Sequence, residues 1–241
     1  MDDSELARRS AGNFGELLAT IGRHGVGPGA EVRRADAVGA AIGALGDNPW
    51  FNAVVVPAGA TPPPDDPHLP FCVWTYADHA PGRVEDPDIA TPCMGLVLAD
   101  VAWPDDDGPL PVVRPPFDVV GAMNDRAYDS PPAFGPLAAR LDDARVRTYG
   151  LEVDGRLACV AMSLALGDDL GIHYVATEAD HRRRGLATRL LTSVLSRAAA
   201  DGFRSATLQA SPDGLPVYQR MGFRQVGVMH GFVRSAAMSG D

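Results

Sequence analysis

The stretch IHYVATEADHRRRGLATRLL, residues 172–191, constrains the fold of this chain more than any other segment. Apolar strand-like residues run into a polar turn and a glycine, and leucines then recur at spacings of three and four. Leu186, Leu190, Leu191, Val194, Leu195 and Ala198 fall on one stripe of a helix of about four turns that stops near Gly202. A strand that feeds a helix with one apolar stripe needs a sheet for that stripe to cover, which predicts an α/β (α+β) fold. The same junction leaves backbone amides unbonded at a helix N-terminus, where the macrodipole also favours an anion. Gly185 and the small Ala187 keep the backbone approachable, and Arg182, Arg183 and Arg184 add positive charge. A pyrophosphate suits such a site. The helix end contributes roughly 0.3 to 2 kcal/mol, enough to fix where an anion sits and not enough to hold it alone.

The neighbourhood extends the α/β pattern. Val119 to Tyr128 and Phe134 to Asp142 read as short helices. Arg147 to Val153 and Leu157 to Leu166 read as a hairpin around Asp154-Gly155, and Ile172 to Thr177 as a further strand. Ala206 to Ala210 is a strand, Gly214 to Met221 a short helix stopped by Gly222, and Phe223 to Met229 with Gly231 to Arg234 more strand. Upstream, Ala35 to Leu45 reads as a helix, and Trp50 to Pro57, Pro70 to Tyr76 and Met94 to Val101 as strands. Of the 21 prolines, 16 precede residue 117, densest between Pro104 and Phe117, where neither a helix nor a central strand can pass. A domain boundary is expected there, with residues 1–116 an acidic, proline-rich α/β accessory region and 117–241 the domain that carries the chemistry.

Charge is divided at the same place. Residues 1–116 hold 7 Arg against 17 acidic residues, and the second half is balanced, so the net charge of −10 belongs to the front. That balance repels phosphate backbones and disfavours a nucleic-acid partner, while a cationic small molecule is favoured. No run of eighteen apolar residues occurs and the start is polar, so no membrane partner and a cytoplasmic location are expected. Cys72, Cys93 and Cys159 form no C-x-x-C, and Cys72 with His68 and His79 has no tetrahedral zinc spacing, so reduced thiols and no metal are expected. Ser130, Ser163 and Cys159 lack the turn context of a catalytic nucleophile.

A second segment, ATLQASPDGLPVYQRMGF, follows the first at the distance one helix and one strand require. Together they resemble the GNAT superfamily of acyl-CoA-dependent N-acyltransferases. The family's phosphate-binding pattern is Gln or Arg, two residues, Gly, one residue, then Gly or Ala, and Arg182, Gly185 and Ala187 match it. Its later pattern, Tyr, three residues, Gly-Phe, is matched by Tyr218, Gly222 and Phe223. Ser211 and Gly214 stand where the family often has Asn and Ala. The resemblance covers about residues 117–234 and implies a GNAT-like mixed, splayed central sheet flanked by helices. The front half resembles a degenerate unit of that kind in outline only, because it has no pyrophosphate turn.

The resemblance implies acetyl-CoA as acyl donor and an amine small molecule as acceptor. The amides of Arg183, Arg184, Gly185, Leu186, Ala187 and Thr188 would hold the pyrophosphate, with Arg182 beside them. Val175, Ala176 and Thr177 would align the pantetheine arm, and Ser211 would hydrogen-bond it. Tyr218 is the expected general acid for the leaving thiolate. An alkyl ammonium of pKa about 10.4 needs about 4.6 kcal/mol to lose its proton at pH 7. His173, sharing an alternating strand face with Val175 and Thr177, and Glu178, at the strand end, are the candidate bases, and a water chain is the remaining route. Glu178 is as well placed to cap the following helix. The front half is expected to wall the acceptor cleft and make it negative, with a homodimer contact or a structural lobe as the alternative. A non-catalytic acyl-CoA sensor is the alternative function, and Tyr218, which a sensor does not need, favours the enzyme.

Overall fold

The computed structural model describes residues 1–26, 31–33, 40–42, 48–50, 52–56, 72–77, 86–103, 112–129 and 134–233. It begins with a helix that the sequence reading does not contain. In α1 (Asp3–Ile21) the Asp2 carboxylate accepts the Glu5 amide at 2.8 Å as an N-cap, and Asp3 and Glu5 lie in the first turn. Leu6, Ser10, Phe14, Leu17, Leu18 and Ile21 form its buried face. Gly12 and Gly15 weaken its intrinsic propensity, so packing against the sheet decides the conformation.

The strands are β1 (Glu31–Arg33), β2 (Ala40–Ile42), β3 (Ala53–Val55), β4 (Cys72–Thr75), β5 (Ile89–Val97), β6 (Val112–Val113), β7 (Val146–Val153), β8 (Arg156–Leu166), β9 (Asp169–Thr177), β10 (Ser205–Gln209) and β11 (Arg224–Val233). They make one open mixed sheet in the order β1-β2-β3-β4-β11-β5-β10-β9-β8-β7-β6. Helices cover both faces. On one, α1, α2 (Phe117–Ala127) and α3 (Phe134–Ala138) pack Phe14, Leu17, Val120 and Leu137 onto Val160, Met162 and Leu164. On the other, the predicted leucine stripe of α4 (Leu186–Ala200), together with α5 (Leu215–Arg220), covers Ala161, Leu170, Ile172 and Leu208.

The sheet does not respect the boundary expected near residue 116. β5, from the front half, lies between β10 and β11 and is antiparallel to both, with Gly95 opposite Thr207 on one side and Arg224 on the other. The described front-half strands thus form no sheet of their own; they continue the one that carries the second half. A proline-rich connection marks where the chain leaves the sheet, and hydrogen bonding across the sheet is invisible to composition.

Other boundaries shift. The helix expected over Ala35–Leu45 gives way at Ala40–Ile42 to β2, whose Ala41 pairs with Val54, and the rest of that segment lies outside the described residues. The strand expected from Met94 begins at Ile89, upstream of Pro92. Pairing with β10 ends at Cys93 opposite Gln209, and the Pro92 carbonyl accepts the Ala210 amide, so the missing N–H is tolerated. After Val97 the chain turns through a short 3₁₀ segment, Leu98–Asp100. The helix expected to reach Asp142 stops at Ala138. The hairpin turn at Asp154-Gly155 has both residues at positive φ, 53° and 72°, as a two-residue loop between twisted strands requires. Among the described residues no helix is long and apolar enough to cross a membrane.

Candidate active site

β9 and β10 run parallel and are paired only where Asp169, Leu170 and Gly171 face Ser205, Ala206 and Thr207. Beyond Gly171 the two strands part, β9 staying with β8 and β10 with β5. A cavity of about 500 Å³ opens in the gap. His173, Tyr174 and Val175 of β9 form one wall, and Gln209, Ser211 and Tyr218 the opposite one. Phe14 and Leu17 of α1, Trp50, and Asn124, Asp125 and Tyr128 at the end of α2 complete it. Trp50 is held by aromatic contacts, its ring 4.6 Å from Trp74 and 6.2 Å from Phe14.

Strand β9 is bulged at this point. Val160 pairs with Ala176 and Met162 with His173, so Ala161 faces both Tyr174 and Val175, and Tyr174 adopts φ 51°. The bulge corrects the expected alternation. His173 and Tyr174 fall on the α1–α2 face, and Val175 packs with the α4 core, where Thr177 also turns, donating its hydroxyl to Cys159 Sγ at 3.3 Å. His173 therefore does not share a face with Val175 and Thr177. A positive φ at a tyrosine has no sequence signature, which is why a regular strand is the natural reading.

His173 is 7% exposed and burial lowers its pKa to about 3, so its imidazole is neutral around pH 7. Its Nε2 lies 3.0 Å from Asn13 Oδ1. Asp125, buried on the cavity wall, accepts the Gly135 amide at 3.2 Å. Tyr218, 8% exposed, packs edge-on to Phe223 at 5.9 Å. Burial, then the proximity of Tyr128 and Cys159, push its phenol well above the ordinary value, so it holds its proton. Ser211 accepts the Gly214 amide at 3.2 Å, opening the turn into α5.

The turn after β9 leads through Ala179–His181 into α4. Arg183 and Gly185 take φ 59° and 74°, and the α4 N-terminus at Gly185 has no side-chain cap. A Cβ at Gly185 would meet nothing within 4 Å, so the glycine serves the left-handed backbone and leaves the amides of the first turn open to approach. The arginines divide their work. Arg182 donates to the carbonyls of Thr177 and Ala127, both at 3.1 Å, and so braces the turn against β9 and α2. Arg184 Nη1 lies 2.9 Å from His181 Nδ1, and Arg183 is exposed. Glu178 makes no capping bond; its carboxylate pairs with Arg126 at 2.6 Å and is not among the groups that line the cavity.

Three features of the site escape a reading of the sequence. Asn13 and Phe14 come from a helix it does not contain, Asp125 looks like any helix-surface acid, and the bulge is silent. The front half does wall the cavity, but its described lining residues, among them Phe14, Asn48, Trp50 and Thr91, are uncharged, and the carboxylate there is Asp125 of α2. Among the described residues, acidity on the cavity wall is therefore local to one residue. Cys159 is buried, and burial pushes its thiol up to about 11, as unfavourable for a nucleophile as its lack of turn context.

An open mixed sheet that splays between two parallel strands, with an uncapped helix N-terminus at the end of one of them, defines the GNAT acyltransferase fold. Comparison with known proteins gives the same class: residues 133–232 match the acetyltransferase (GNAT) domain family and form a GNAT acetyltransferase domain. The fold as a whole is similar to that of a GCN5-related N-acetyltransferase from Kribbella flavida, with a TM-score of 0.60 at 16% identity, over 93% of this chain and 94% of that one. It is also similar to a protein assigned to the GNAT acetyltransferase family from Novosphingobium aromaticivorans, with a TM-score of 0.55 at 21% identity, over 86% and 92% of the two chains. No curated protein matches the sequence. The domain class carries out acyl-CoA-dependent acetyl transfer, with acetyl-CoA as the usual donor.

Proposed function

We propose that the chain transfers an acetyl group from acetyl-CoA directly to a primary amine of a small molecule that is cationic at neutral pH. The observation that carries this reading is the cavity between β9 and β10, with His173, Asp125 and Tyr218 on its walls and the Arg182–Gly185 turn at the end of the same strand β9. Bound acetyl-CoA would supply an activated thioester. The amides of residues 183–188 fit its pyrophosphate, and the edge of Val175–Thr177 that faces away from β8 fits the amide-bearing arm. The Ser211 hydroxyl, accepting from Gly214, keeps its own proton to donate to that arm.

The neutral amine forms a bond to the acetyl carbon, the carbon–sulfur bond breaks, the nitrogen gives up a proton to solvent, and the departing sulfur takes the Tyr218 proton, which solvent then replaces. The ammonium must first lose a proton, passed to solvent through water, at about 4.6 kcal/mol for pH 7. His173, with its pKa lowered to about 3, is a poor store for that proton; it accepts a hydrogen bond from the neutral amine and aims its lone pair. Asp125 is the carboxylate that meets the cation as it enters, and Glu178, tied to Arg126, has no part in the chemistry.

A screen of primary amines for thiol release from acetyl-CoA tests the reading. The expected result is turnover with at least one amine, and a loss of about 10-fold or more in kcat/KM for it in Asp125→Asn. Coenzyme A binding with no amine accelerated would leave only an acyl-CoA-binding module.

A further inference from the structure

Asn13, 1% exposed, is the one asparagine buried on the inner face of α1. Its Nδ2 lies 3.2 Å from the Leu164 carbonyl and 3.0 Å from the Asp169 carboxylate. The carbonyl can only accept, so that end is the amide nitrogen and the oxygen is the end that faces His173. An amide oxygen cannot donate, which requires the proton of the imidazole to be on Nε2 and leaves the lone pair on Nδ1, in a ring that lines the cavity. Asp169 is held in turn by the hydroxyls of Ser205 at 2.6 Å and Thr207 at 2.8 Å. Gly171 is what lets this line of groups cross the strand. A Cβ there would overlap the Asn13 amide and come within 2.6 Å of His173 Nε2. Among the described residues, the charged groups around the line are Asp169, with Arg9 and Asp168 behind it, and Asp125 on the α2 side of the cavity.

We infer that Asn13 is a positioning residue: the Asp169–Asn13–His173 line fixes His173 as the Nε2–H tautomer and presents Nδ1 as the acceptor that orients the attacking amine. The inference rests on the amine-acetylation reading and adds to it the contribution of the front half, whose first helix supplies the group that sets the imidazole.

The test is ¹⁵N–¹H correlation of the imidazoles in the full chain, with His173 assigned by its loss in His173→Gln. The Nε2–H tautomer is expected in the unmodified protein and a mixture, or the Nδ1–H form, in Asn13→Ala. Because Asn13→Ala strips a donor from buried Asp169 and can unfold the chain, Asn13→Ser, which keeps a hydroxyl near Asp169, is measured beside it. With acetyl-CoA and the best amine of the screen, each Asn13 variant should lose about 10-fold or more in kcat/KM, and this loss should vanish in the His173→Gln background. An unchanged tautomer in a folded Asn13 variant overturns the inference whatever the kinetics, and so do losses that add in the double variants. If no amine is acetylated, the acetyl-transfer reading falls and takes the role of Nδ1 with it. That failure is recognised by a tautomer that still follows Asn13.

Discussion

At the scale of single residues, the site separates a proton donor from a proton-poor acceptor by burial. Tyr218 is pushed up, so it stays a phenol, and on the proposed mechanism Tyr218→Phe removes the acid while the ring keeps its packing against Phe223. That variant should bind coenzyme A as before and lose about 10²-fold or more in turnover, read from thiol release under conditions where chemistry limits the rate. His173 gives a prediction about stability. Its folded pKa, about 3, lies below the ordinary histidine value of 6.5, so the unfolded chain takes up a proton that the folded one refuses. The stability this contributes is intact above pH 6.5 and is lost as pH falls towards 3, by at most about 1.4 kcal/mol per pH unit. Asp169, raised by burial, acts in the opposite direction, so the comparison must be made against a variant. His173→Gln should show a smaller fall in Tm between pH 6.5 and 4 than the unmodified chain, and parallel curves would contradict the buried neutral imidazole.

At the scale of elements, the junction of β9 and α4 depends on one left-handed residue. Gly185 sits at φ 74° with open space beside it, so a side chain there meets no neighbour and instead strains the backbone by roughly 1–2 kcal/mol. Gly185→Val should therefore leave the fold in place, shift the turn, and abolish coenzyme A binding by calorimetry. Unchanged binding would move the pyrophosphate site elsewhere. The bulge in β9 works at the same scale: by adding one residue at Tyr174 it turns His173 and Tyr174 to one face and Val175 to the other, which a regular strand cannot do.

At the scale of the whole molecule, the front half is part of the catalytic sheet. β5 is hydrogen-bonded along both edges, and α1 brings Phe14 to the cavity and buries Asn13 against His173. A fragment of residues 117–241 would expose the facing edges of β10 and β11 and the apolar face that α1 covers. It should show no cooperative thermal transition by circular dichroism and no coenzyme A binding. A folded, binding-competent fragment would restore the independent domain that the proline distribution suggests.

The turn, the leucine stripe of α4 and the Tyr218 segment are legible in the sequence because each is local: its glycines, arginines and apolar spacing lie within one strand, turn or helix. The hairpin at Asp154-Gly155 is legible for the same reason. What only the tertiary structure decides is non-local. The insertion of β5 between β10 and β11 depends on hydrogen bonds between residues more than a hundred positions apart, and α1 is a helix through its packing despite two glycines. The protonation state of His173, its tautomer and its place opposite Tyr218 follow from burial, from Asn13 160 residues away and from a bulge, none of which the side chain's own neighbours encode. The sequence by itself determined which local units the chain would build, the glycine turn that opens α4 among them. The sheet that joins those units determined which side chains share the cavity, because a contact across strands depends on register and registers are set by the packed whole.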